Sequence, residues 1–241
     1  MIEQKPERTC LQNSMIRLIS LADMITLTNA VFGFLALLLV FTGELHLAAV
    51  FIFLGLLADG LDGYVARYLG TGKIGEYLES LADMLSLSVA PLLLLYATFK
   101  DTFAGGAWHL PFFGGVLVFS LLCSLIRLSS FSLLKDSQFF LGLPTSVSAL
   151  FLVILSMLKP DPVLVIPVVV VVAVAMISPV RFPKPGLPMN LITAILIILV
   201  IAIGRLYNSL TVYILLVALM LYIIAGPIYL ATQKRPYRKA A

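Results

Sequence analysis

The hydrophobic pattern of this chain is a series of long apolar blocks separated by short polar punctuation. Eight blocks fall at 22–42, 46–69, 74–99, 111–135, 143–158, 162–180, 189–205 and 208–231. Each is close to the ~20 residues that a helix needs to cross a bilayer, the shortest lying near the lower limit. Connections are short and most contain Gly or Pro. Lys159-Pro160-Asp161-Pro162 and Arg181-Phe182-Pro183-Lys184-Pro185-Gly186 end helices, because proline lacks an N–H donor and restricts the residue before it. The pattern predicts an all-α fold, a polytopic membrane helical bundle of about eight transmembrane helices. Residues 1–21 read as an N-terminal segment, 22–231 as one membrane domain, and 232–241 as a basic tail. Within the first segment, residues 11–21 suit a short amphipathic surface helix, and Ser20 with Asp23 suits a capping box at the start of span one. No cleavable signal is expected, since the first twenty residues are mixed and polar and include Pro6.

Composition agrees with the pattern. Hydrophobic residues make up 61% of the 241 positions and charged residues 12%, with mean hydropathy +1.09. Soluble domains carry about 25% charge, so the bilayer must be the solvent for most of this surface. The net charge of +4 is too small and too dispersed for nucleic-acid binding. Its distribution is more telling. With both termini on one side, that side receives thirteen of the 16 Lys and Arg residues, and only Lys100, Lys159 and Arg205 fall on the other. The positive-inside rule then places both termini in the cytoplasm and independently supports an even number of spans. Cys10 and Cys123 have no partner spacing for a disulfide or a zinc site.

Acids inside apolar spans mark function, because a carboxylate in hydrocarbon must be paired, hydrated or metal-bound. Asp59 and Asp62 are spaced i, i+3 in span two; Glu79 and Asp83 are spaced i, i+4 in span three, with Glu76 nearer the surface. Each pair shares a helix face. Counted from the turn at 68–73, Asp62 and Glu79 lie roughly 8 Å deep and Asp59 and Asp83 roughly 13 Å, so the hairpin brings them together at matched depths. Four like charges in one dry site call for divalent cations, and an all-oxygen donor set suits Mg²⁺ or Mn²⁺, two ions in all. Gly60, Gly63 and Ala66 keep the face of span two small where a nucleotide would approach, Gly75 opens space at the start of span three, and Arg67 is placed to meet a phosphate.

Asp59-Gly60-Leu61-Asp62-Gly63-Tyr64-Val65-Ala66-Arg67, followed by Gly75, Glu79 and Asp83, resembles the CDP-alcohol phosphatidyltransferase signature D-x-x-D-G-x-x-A-R-x(8)-G-x-x-x-D-x-x-x-D. Two departures stand out: seven residues separate Arg67 from Gly75, and Glu79 stands at the third Asp position. Glutamate reaches one methylene further and still binds a divalent ion, an exchange that matches the shortened connection. The resemblance implies metal ligation by Asp59, Asp62 and Glu79, with Asp83 as ligand and general base on the incoming alcohol. Leu27-Thr28-Asn29 with Gly33, Arg127-Leu128-Ser129-Ser130-Phe131 with Phe140 to Pro144, and Ser178-Pro179-Val180-Arg181-Phe182-Pro183 are similar to the phosphatidylserine synthase branch, including its archaetidylserine relatives. On that likeness Asn29, Gly63, Ala66, Arg67 and Gly75 would contact the nucleotide, and Arg127 and Arg181 the lipid phosphate or the serine carboxylate. The likeness also implies a homodimer in the cell membrane, with its active site open to the cytoplasmic leaflet.

The expected reaction is displacement of CMP from a CDP-diacylglycerol-like lipid by L-serine. His46 and His109 fall on the outer side, away from the acids, so neither is expected to serve as base. Tyr64, Tyr68 and Tyr77 read as interfacial aromatics. Glycerol 3-phosphate or an inositol phosphate as acceptor would want more basic residues near the pocket than Arg127, Lys135 and Arg181. A cation transporter would want a second acid pair in spans five to eight, where none is present.

Overall fold

The computed structural model describes residues 19–69, 72, 74–105, 109–131, 139–183, 186–203 and 210–232. Residues 11–18 of the expected amphipathic helix, the tail beyond Thr232, Cys10, Lys73, Lys135 and Arg205 lie outside these residues, as does the side chain of Arg67; residues 19 and 20, which that helix was expected to include, are not helical.

Ser20 caps the first helix, α1 (Leu21–Thr42): its hydroxyl accepts from the Asp23 N–H at 3.3 Å, and the Asp23 carboxylate accepts from the Ser20 N–H at 2.7 Å. This is the reciprocal box expected from the sequence. Gly43, in the left-handed region at φ 82°, closes the helix and turns the chain into α2 (Leu45–Leu69). The third span, α3 (Gly75–Phe103), is continuous but not uniform. Residues Met84–Val89, directly after Asp83, are wound as a π-helix. Pro91 lies at the resumption of the α-helix, and it has no N–H to return to the preceding turn; the widened turn relieves the crowding a proline imposes on the carbonyls behind it.

Then come α4 (His109–Phe131), α5 (Thr145–Leu158), α6 (Pro162–Ile177), α7 (Leu187–Ile203) and α8 (Leu210–Thr232). Among the described residues eight apolar helices thus follow one another in the predicted order, and the protein is a multi-pass membrane protein. Five are long and apolar enough to cross a bilayer, while α5, α6 and α7 are shorter, at 14, 16 and 17 residues. The boundaries explain why: α6 begins at Pro162 and stops before Pro179, so residues 178–180 leave the helix the pattern had assigned them to.

Among the described residues two three-residue strands interrupt the helical fold. Strand β1 (Phe139–Leu141) pairs antiparallel with β2 (Arg181–Pro183), Phe140 opposite Phe182. Gly142 ends β1 at φ 72°, where a Cβ would lie 2.1 Å from the Met176 carbonyl oxygen, so only glycine fits. The buried core runs along α2, the second half of α3, α4, α5 and α6, with Ile52, Phe53, Leu94, Leu95, Phe113 and Ile154 essentially inaccessible.

Candidate active site

The site forms where α2 and α3 come out of their hairpin beside the start of α5. Asp59 of α2 and Glu76, Glu79, Ser80 and Asp83 of α3 make one wall of a pocket. Arg127 and Leu128 of α4, Phe140 of β1, and Pro144, Thr145 and Ser146 at the start of α5 make the other. One wall is acidic; the other joins a guanidinium to the N-terminus of a 14-residue helix, whose first N–H groups have no intrahelical acceptor.

The carboxylates are not equivalent. Asp59 lies within electrostatic reach of Asp62, Glu79 and Asp83, and its side chain meets that of Asp83, the residue at matched depth on the facing helix. Asp62 turns toward α1: its Oδ2 accepts a 2.6 Å hydrogen bond from the Thr26 hydroxyl, and it is 4% exposed. Asp83 is 8% exposed and its Oδ1 accepts from the Asn29 amide at 3.0 Å. Close packing makes these contacts possible. At Gly33 of α1 a Cβ would lie 2.7 Å from the Ser86 Cα, so α1 meets the π-helical turn of α3 backbone to backbone.

Small residues leave open space along α2, since a Cβ built on Gly60 or Gly63 would meet nothing within 4 Å. Gly75 is buried as the first residue of α3. Arg127 donates from Nε to the Leu143 carbonyl at 3.3 Å and keeps its place in the pocket wall. Arg181 is on β2, with its guanidinium 4.9 Å from the centroid of Phe139. It is exposed and sits beside the pocket wall rather than in it. Asn29 is fully buried beneath Asp83. No histidine lines the pocket among the described residues.

Of the four acids read from the sequence, Asp59, Glu79 and Asp83 line the pocket and Asp62 does not; sequence reasoning overlooked Thr26, Ser80 and the Thr145-Ser146 helix start. Thr26 was the findable one: Ala22, Thr26, Asn29, Gly33 and Ala36 form a stripe of small and polar side chains at spacings of four and three, all buried.

The donor set fits a hard divalent cation, being built only of carboxylate oxygens on two facing helices. Among the described residues no three acidic, histidine or cysteine side chains are drawn tightly enough to enclose an ion in this arrangement. The fit is therefore one of donor chemistry and of charge that needs compensation.

The fold and site define a bundle of apolar membrane helices with a carboxylate-lined cleft that also holds a guanidinium and a helix N-terminus. The sequence profile of CDP-alcohol phosphatidyltransferases matches residues 19–181, and the chain belongs to that family. Its members are transferases that generally use divalent cations. A Methanocaldococcus jannaschii protein named CDP-diacylglycerol–serine O-phosphatidyltransferase is 33% identical over 172 residues, 71% of this chain and 77% of its own length. The Bacillus subtilis protein of the same name is 33% identical over 164 residues, 66% of this chain and 88% of its own. An archaetidylserine synthase of Methanothermobacter thermautotrophicus is 36% identical over 135 residues, 54% of this chain and 55% of its own.

Proposed function

We propose that this protein transfers the phosphatidyl, or archaetidyl, group of a CDP-activated lipid to the hydroxyl of L-serine, releasing CMP, as a step of phospholipid biosynthesis. The observation that carries the reading is the pocket itself, with Asp59, Glu79 and Asp83 opposite Arg127 and the start of α5.

Asp59, Asp62, Glu79 and Asp83 would hold two divalent ions, Mn²⁺ or Mg²⁺. Bound there, such ions would supply charge neutralisation for the diphosphate and the departing CMP. Gly63, Ala66 and Gly75 leave room for the nucleotide, and Arg67 contacts its phosphates. Arg127 and Arg181 hold the lipid phosphate or the serine carboxylate, as guanidinium groups do by paired N–H donors. Asp83 accepts the proton of the serine hydroxyl as its oxygen attacks the lipid-side phosphorus. The new P–O bond forms as the bond to the CMP phosphate oxygen breaks, leaving the proton on Asp83 and the electron pair on CMP. The enzyme works as a homodimer in the cell membrane, with both termini and the pocket on the cytoplasmic side. The thirteen-to-three division of basic residues supports that orientation.

The test is CMP release by the purified protein in detergent, supplied with CDP-diacylglycerol and Mn²⁺ or Mg²⁺, and separately with L-serine, glycerol 3-phosphate or an inositol phosphate. Release is expected with serine alone, and Asp83→Asn is expected to lower it by at least ~100-fold, the scale of a lost general base. Release with another acceptor would replace serine in this reading.

A further inference from the structure

We propose that α1 is the alignment element of the active site, in which Thr26 and Asn29 are positioning residues that hold two signature carboxylates, Asp62 and Asp83. The inference rests on the functional reading above and adds to it the means by which one helix sets the relative placement of acids carried by two others.

The two hydrogen bonds are separate and of different kinds. The Thr26 hydroxyl lies 2.6 Å from Asp62 Oδ2 and 3.3 Å from the Ala22 carbonyl. One proton serves one acceptor, and the shorter contact to a carboxylate takes it, as charge-assisted bonds do. That bond occupies Oδ2 and so fixes the rotation of the Asp62 carboxylate about its own axis.

Asn29 is 0% exposed, and its Oδ1 has no hydrogen-bond partner. That oxygen points at α2, where a Cβ on Gly55 would stand 3.0 Å from it. An unsatisfied buried carbonyl destabilises the fold, so a side chain present only to fill space would be better as leucine. The donor end accounts for its presence. The amide offers N–H to Asp83 at 3.0 Å and turns its own oxygen away, an orientation in which it cannot repel the carboxylate.

Thr26 and Asn29 are spaced i, i+3 on the same buried stripe. One turn further on, Gly33 is locked against the Ser86 backbone. Sliding or rotation of α1 would therefore move both acids together. Hydroxyls and amides also join membrane helices with no bearing on chemistry, and the experiment must separate that role from this one.

Purified full-length protein in detergent would be titrated with Mn²⁺. Thermal stabilisation gives the half-saturating concentration, and CMP release gives kcat and the serine KM. Thr26→Val keeps the shape and removes the hydroxyl; it is expected to raise half-saturating Mn²⁺ by ~10–100-fold, the usual effect of deleting a residue behind a ligand, with much of the activity recovered at saturating metal. Thr26→Ser restores the hydroxyl and should bring the titration back to within ~3-fold of the unmodified protein. Asn29→Leu and the same-shaped Asn29→Asp should lower kcat by ~10–100-fold at saturating Mn²⁺, with a smaller change in serine KM.

The inference is overturned if Thr26→Val and Asn29→Leu titrate like the unmodified protein and lose activity only as their melting temperatures fall, or if Thr26→Ser is as impaired as Thr26→Val. An unmodified protein that neither releases CMP nor is stabilised by Mn²⁺ would bring down the functional reading as well. Serine-dependent release with unaffected variants would remove this inference alone.

Discussion

Asp62 and Asp83 belong to one signature and yet have different neighbours, a hydroxyl for one and an amide for the other. Spacing shows that two carboxylates share a helix face; it does not show which oxygen is already engaged. Glu79 is the residue that departs from the signature, and it is in the pocket with Asp59 and Asp83. If its extra methylene makes up for the connection shortened between Arg67 and Gly75, restoring the usual residue will harm the enzyme. Glu79→Asp is expected to raise the Mn²⁺ concentration needed for half-maximal CMP release by ~10-fold or more. A variant as active as the parent at equal metal would mean that the longer side chain compensates for nothing. Arg127 was legible as a cation in an apolar span that needed a partner, and it does face the acids. Arg181, read from the sequence as part of the connection after span six, has its guanidinium over Phe139, because strand pairing gives β2 a direction that helical spacing cannot foresee.

Among the elements, the two short strands and the π-helical turn are what the apolar pattern hid. Three residues are too few to show a period, and a π-helix has the same hydrophobic content as the α-helix around it. Both bear on the site. Strand β1 carries Phe140 into the pocket wall, and Gly142 leads from it to Pro144 and the start of α5. Strand β2 is held from behind by α8, whose Tyr222 hydroxyl donates to the Pro183 carbonyl at 3.1 Å and whose ring stacks on Phe182. The last two spans had no assigned chemistry in the sequence; one of them buttresses the wall opposite the acids. Gly142→Ala would force a Cβ into the Met176 carbonyl at a left-handed φ. Its expected cost is at least ~2 kcal/mol, seen as a lower melting temperature in detergent and as lost serine-dependent release. An alanine variant with parental stability would show that the strand pair moves freely of α6.

At the scale of the whole molecule, the charge distribution makes a prediction that needs no site. Tags at the N- and C-termini should both be accessible from the cytoplasmic side of sealed cells or vesicles, and a single cysteine placed at Lys100 should be labelled only from the opposite side. Labelling of residue 100 and of either terminus from one side would refute the orientation. The profile match ends at residue 181, before α7 and α8, yet the Tyr222 contact ties α8 to that region.

The sequence alone determined the bilayer as solvent, the order of eight apolar helices, the cap at Ser20 and the convergence of acids on the α2–α3 hairpin. All of these depend on spacing along one helix or across one turn, and such local geometry is written in the chain. Only the tertiary structure decided that Asp62 turns to α1 while Asp59 meets Asp83, that Asn29 lies beneath the catalytic candidate instead of in the pocket wall, and that α5 begins opposite the acids. Those outcomes depend on how closely α1 can approach its neighbours at Gly33 and Gly55, and on the pairing of strands separated by two helices. Contacts between residues far apart in the chain follow from packing, which no periodicity records.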